Sequence, residues 1–167
     1  MIPRRQAIRL SFAALAVVAA AAITGCGMMK PSSMSSDSAQ SSQAAQSNLV
    51  AFSTQMRASS EVPPNASQGS GMVDAVFDKN TNMLRWKASY SGLSGPATMA
   101  HFHGPAAAGA NAGVVLPWPS PVTSPLESSA TLTAAQAADL MAGRWYANVH
   151  TAANPGGEIR GQMMPRY

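Results

Sequence analysis

The chain has 167 residues, with 11 Lys and Arg against 7 Asp and Glu, a formal charge of +4, and 11% charged residues. Arg4, Arg5 and Arg9 stand at the N-terminus without an acid, which leaves the rest of the chain near neutrality. No basic run interleaves with aromatics, so nucleic-acid binding finds no support. The single cysteine, Cys26, excludes an intrachain disulfide.

The three arginines precede an apolar stretch from Leu10 to Ala22, which is too short for an ordinary membrane-spanning helix. It closes on Ile23-Thr24-Gly25-Cys26, which resembles the lipobox of bacterial lipoproteins, where the cysteine is acylated and becomes the mature N-terminus. The resemblance implies a lipoprotein signal peptide over residues 1–25 and lipidation at Cys26. The expected location is the bacterial cell envelope, with the membrane as a partner through the N-terminal lipid. Gly27, rather than Asp, after the cysteine is compatible with the outer membrane. Residues 26–48 are Ser, Ala, Gln and Met with hardly a charge and no periodicity, and are expected to be a flexible tether.

Residues 49–167 are enough for one domain, which must be stable by its core alone. Leu49 to Met56 alternates loosely and is broken at Val62-Pro63-Pro64-Asn65. Met72 to Phe77 predicts a second strand, and Asp78 to Thr81 a hairpin turn. In Met83 to Tyr90, Leu84, Trp86, Ala88 and Tyr90 share one face, the pattern of a half-buried antiparallel strand. Ala97 to His103 follows, then a Gly/Ala loop from Gly104 to Gly113 and a short run, Val114 to Leu116, stopped by Pro117. Further strands are expected at Leu126 to Leu132, Trp145 to His150 and Glu158 to Met163. Between them Thr133 and Gln136 have the spacing of a capping box, Ala134 to Met141 are helix formers, and Gly143 suits a helix end. Seven or eight short strands with one crossover helix predict an all-β fold, a Greek-key sandwich or barrel.

The chain has three histidines, two of them in His101-Phe102-His103. Side chains alternate faces along a strand, so both imidazoles point one way and Phe102 the other. The run from Trp145 to His150 places Tyr146, Asn148 and His150 on one face. If the two runs are neighbours, His101, His103 and His150 converge as a minimal site for Cu or Zn. A fourth donor could come from Met99, Glu61, Glu158 or water; a methionine suits copper, and a carboxylate or water suits zinc. The alternative is that the rings hydrogen-bond loop carbonyls and shape one end of the sandwich. Asn148 and Tyr146 are candidates for fixing an imidazole tautomer. Arg160 and Glu158 share parity and are expected either to pair across the sheet or to serve the site. Trp86 and Trp145 are expected in the core. Trp118, between Pro117 and Pro119, is the candidate for partner contact. No P-loop, G-x-S-x-G or paired-carboxylate motif occurs, so a conventional hydrolase is not expected; whether the chain is an enzyme stays open, with a binding role favoured and a simple redox reaction on a bound ion the remoter alternative.

Three stretches together resemble the CHRD (chordin-type) domain. They are Glu61-Val62-Pro63-Pro64, then Gly92-Leu93-Ser94-Gly95 leading to Ala100 through Pro105, and finally Gly143-Arg144 through Asn148-Val149-His150-Thr151 to Asn154 through Gln162. The resemblance spans residues 50 to 164 and implies little about activity, because the family's biochemical role is largely undefined. The H-x-H strand, the later strand ending in His and a glycine-flanked Arg are also similar to the copper/zinc superoxide dismutase pattern. That likeness implies an immunoglobulin-like or superoxide dismutase-like sandwich, with His101, His103 and His150 as copper ligands and Arg160 facing an anion. The chain departs from it by lacking a fourth histidine, a zinc-site cluster and the structural disulfide. The first expectation is a membrane-anchored extracytoplasmic domain that binds one Cu or Zn ion. The second is a metal-free adhesion or assembly module that binds a protein or glycan through residues 104–113 and 117–125. A structural envelope lipoprotein is the third.

Overall fold

The computed structural model describes residues 48–166, so the expected signal peptide, Cys26 and the tether up to residue 47 lie outside the described residues. In chain order the elements are β1 (Leu49–Arg57), a 3-10 turn (Ala58–Ser60), β2 (Ser70–Asp78), β3 (Met83–Ser91) and β4 (Ala97–His103). They continue with β5 (Val114–Pro117), β6 (Leu126–Thr131), α1 (Ala134–Met141), β7 (Tyr146–Thr151), β8 (Ile159–Gln162) and β9 (Met164–Arg166).

The alternation read in Met83 to Tyr90 has its physical counterpart in β3, where Leu84, Trp86 and Ala88 are buried between exposed Arg85 and Lys87. β2 alternates in the same way and pairs with β3 over its whole length, from Ser70↔Ser91 to Asp78↔Met83. The Asp78 carboxylate closes the hairpin by accepting from Asn80 N at 2.9 Å. Short polar side chains favour such turns because they bond the backbone two residues on.

All strands join one antiparallel sheet in the order β5-β4-β7-β8-β1-β2-β3-β6, with β9 also on β1. Trp86 on β3 and Phe102 on β4 nevertheless meet edge to face, with ring centroids 5.3 Å apart. Four strands separate them in the sheet, so the sheet curls over on itself into two facing layers. β1 and β8 share one register pair, Arg57↔Arg160, at the seam between the layers. The chain crosses between layers after β3, β5, β6 and β8, and α1 makes the crossing from β6 to β7. Among the described residues, nine strands and one short helix make the fold all-β and sandwich-like, as the strand spacing predicts.

The capping box of α1 is present as read. Thr133 Oγ1 accepts from Gln136 N at 3.2 Å, and Gln136 Oε1 accepts from Thr133 N at 2.9 Å. Leu132 and Leu140 are buried beneath the helix, and Gly143 follows it at φ +67°.

Trp118 departs from the expectation of partner contact. It is 5% exposed and packs against Phe102 and Trp86, with centroids at 5.3 and 6.4 Å. Its backbone N–H donates to Ala100 O at 3.0 Å, which carries the β4–β5 pairing past Pro117 and turns the indole inward. Flanking prolines removed donors from the segment without taking the ring out of the core. Full burial of an aromatic side chain contributes roughly 2–3 kcal/mol.

β7 is the exception to alternation, since all six of its residues are buried. Ala147 and Val149 face the apolar core, while Tyr146, Asn148 and His150 form a second, polar layer on the opposite face. Loops on either side of that face cover it. This double burial positions the candidate site.

Candidate metal centre

β4 and β7 are neighbours, with His101 opposite Asn148, His103 opposite Tyr146 and Met99 opposite His150. Residues opposite one another in a sheet share a face, so the three histidines and Asn148 come together on the polar side of β7. One ligand atom from each ring lies within 4.8 Å of the others. His101 Nδ1 is 3.1 Å from His150 Nε2. His103 Nε2 and His150 Nε2 are each 3.0 Å from Asn148 Oδ1. His103 and His150 are buried, at 9% and 6% exposure, and His101 is half-buried.

Two rings are tied from behind. His103 Nδ1 meets Ala112 O at 3.0 Å, and His150 Nδ1 meets Pro155 O at 3.0 Å. A carbonyl only accepts, so in the neutral ring Nδ1 carries the proton and Nε2 presents its lone pair to the cluster. This is the arrangement by which outer hydrogen bonds orient metal-binding imidazoles. The carbonyls have no counterpart in residue identity, and sequence alone does not point to Ala112 or Pro155. Asn148 contacts the inward Nε2 atoms, while the carbonyls hold the outward ones.

Burial favours the neutral form of His101 and His150. It lowers the His101 pKa to about 4, with help from His150 and His103 beside it. It also lowers His150, against the opposing pull of the Pro155 carbonyl and with a further push from His103. Neutral imidazole is the form that binds a metal ion.

Arg160 lies on β8 opposite Asn148, but its guanidinium is committed elsewhere. Nη1 donates to Asn111 Oδ1 at 2.8 Å and Nη2 to Ala110 O at 2.5 Å, and its carbon sits 3.4 Å from the Tyr146 ring centre. Tyr146 in turn stacks on His103 with centroids 4.8 Å apart and planes 2° from parallel. The guanidinium, phenol and imidazole thus brace one another under the 104–113 loop. Asn111 Nδ2 also donates to Val62 O at 3.0 Å, which pins that loop to the segment after β1.

Glu158 and Arg160 do not pair. The fully buried Glu158 carboxylate accepts from Ser67 Oγ, Ser94 N, Ser94 Oγ, Thr151 Oγ1 and Asn154 Nδ2 at 2.5–3.1 Å. Burial alone would raise its pKa, but these donors outweigh burial and hold it at about 2. Its role is to staple three loops together. Met99 is on the histidine face and 47% exposed. Glu61 is 5% exposed behind Asn148, and its Oε1 has no hydrogen-bond partner. Burial pushes its pKa up to about 7 against the Arg160 charge and hydrogen bonds from the Val62 backbone and the Asn148 side chain.

A curled antiparallel sandwich with a histidine cluster on its polar face defines the class. The family model for the CHRD domain matches residues 52–163. The chain belongs to the CHRD domain family. No curated protein and no solved structure matches it.

Proposed function

We propose that this domain binds a single transition-metal ion, copper or zinc, through His101, His103 and His150. The observation that supports this best is the convergence of three imidazoles, two of them held from behind by backbone carbonyls. Imidazole donors suit both copper and zinc. His101, the least buried of the three, stands on the side from which an ion enters. The ion is handled by an anchored protein in the cell envelope, a location supported by the lipobox-like Ile23-Thr24-Gly25-Cys26.

Elemental analysis of tag-free protein tests metal binding. About one equivalent of Cu or Zn is expected in the wild type, and none in His101→Ala or His150→Ala. Metal-free wild-type protein after exposure to both ions would contradict it. For anchoring, Cys26→Ser is expected to move the protein from the membrane fraction to the soluble fraction. A variant that stays with the membrane would contradict lipidation at that residue.

A further inference from the structure

His103 and His150 each have an acceptor on both sides. A backbone carbonyl faces Nδ1, and Asn148 Oδ1 lies 3.0 Å from Nε2. A neutral imidazole has one N–H and cannot satisfy two acceptors. Reversing the Asn148 amide would remove the conflict by turning Nδ2 toward the rings. That reversal is opposed from behind by Glu61, whose buried Oε1 has no hydrogen-bond partner and lies beside Asn148 Nδ2 over Gly157. A buried oxygen without a partner needs a donor, and Nδ2 is the only donor of the Asn148 side chain, so Nδ2 faces Glu61 and Oδ1 faces the imidazoles. Both side chains are buried, Glu61 at 5% and Asn148 at 3% exposure, so neither can turn to water instead. Gly157 closes the back of the pair, because a Cβ there would collide with the Glu61 carboxyl and lie 2.9 Å from Asn148 Nδ2.

We infer that Asn148 Oδ1 is the oxygen donor that joins the three imidazoles at the metal centre, and that Glu61 is the positioning residue that aims it there. This rests on the metal-binding proposal above. The result is three acceptors facing inward, His103 Nε2, His150 Nε2 and Asn148 Oδ1, with His101 Nδ1 the one ring nitrogen beside them able to donate, 3.1 Å from His150 Nε2; a divalent cation satisfies all of them once His101 turns its lone pair inward. The donor set is three nitrogens and one oxygen, suited to Zn²⁺ or Cu²⁺. Met99 stands outside it, on the exposed rim.

The test is Zn²⁺ titration of metal-stripped full-length protein by calorimetry, with the thermal midpoint of each metal-free form measured alongside. In Glu61→Gln the new amide can donate to Asn148 Oδ1, and Asn148 is free to turn Nδ2 toward the rings. Zn²⁺ affinity is expected to fall about tenfold or more while the metal-free midpoint holds or rises. A merely structural Glu61 would lower both. The double variant Glu61→Gln with Asn148→Asp exchanges amide and carboxylate, again leaves an oxygen facing the rings, and is expected to restore affinity. Wild-type binding with Glu61→Gln within about twofold of it would overturn the inference and leave the three-histidine site standing. So would a double variant no better than the single one. Absence of Zn²⁺ and Cu²⁺ binding in the wild type would overturn the site and the inference together.

Discussion

At the scale of single residues, the three histidines differ in what else they do. His101 has no backbone anchor and is half exposed, whereas His103 and His150 hold loop carbonyls. Loss of a buried hydrogen bond costs about 1–3 kcal/mol when its partner is left unpaired. His103→Ala and His150→Ala are therefore expected to destabilise the metal-free protein by about that amount, and His101→Ala hardly at all, in denaturant unfolding. Equal losses at all three positions would contradict the assigned anchors. Gly157, at φ +128°, tests the support behind the site. Gly157→Ala is expected to weaken Zn²⁺ binding in a calorimetric titration although every histidine remains; unchanged affinity would remove that loop from the account. The shared parity of His101, His103 and His150 was legible in the sequence because strand alternation depends only on spacing. That loop carbonyls could tie the rings was anticipated, but which carbonyls do so was not legible, since Ala112 and Pro155 contribute a group that any residue has. Trp118 was misread for a related reason: local proline content says little about where a backbone pairing turns the side chain.

At the scale of elements, the polar face of β7 depends on the loops that cover it. Glu158 organises one group of them by accepting from side chains before β2, after β3 and at the end of β7. Its depressed pKa means that this stabilisation is complete above the ordinary glutamate value and is lost as pH falls toward about 2. Glu158→Ala leaves several buried donors unpaired, an expected cost on the order of 3 kcal/mol in denaturant unfolding near neutral pH. A loss near zero would show that water satisfies those donors. The helix is a simpler case. Thr133→Ala removes the side-chain half of the capping box and is expected to cost about 1 kcal/mol, measured in the same way. α1 and the β2–β3 hairpin were readable because caps, turns and alternation are local rules. The neighbour relation of β4 and β7 was only a conditional in the sequence, because 42 residues lie between His103 and Tyr146 and pairing at that distance is decided by the whole core.

At the scale of the whole molecule, the fold buries a polar layer that water would otherwise fill, and this sets its response to pH. Unfolded histidine titrates near 6.5, whereas folded His101 does so only near about 4. Between those values the unfolded chain binds more protons, so the stability of metal-stripped protein is expected to fall as pH drops from 6.5 toward 4. A thermal midpoint that stays level or rises over that interval would contradict neutral, buried imidazoles. Bound ion adds to stability through its preference for the folded state, and the lowered proton affinity of His101 and His150 favours retention of the ion into mild acid. The most direct measurement of the central claim is X-ray absorption at the zinc edge of reconstituted protein. The expected spectrum has a first shell of nitrogen and oxygen at about 2.0–2.1 Å and outer-shell scattering from three imidazole rings. A spectrum with one imidazole or none would place the ion elsewhere and contradict convergence of the three histidines on it.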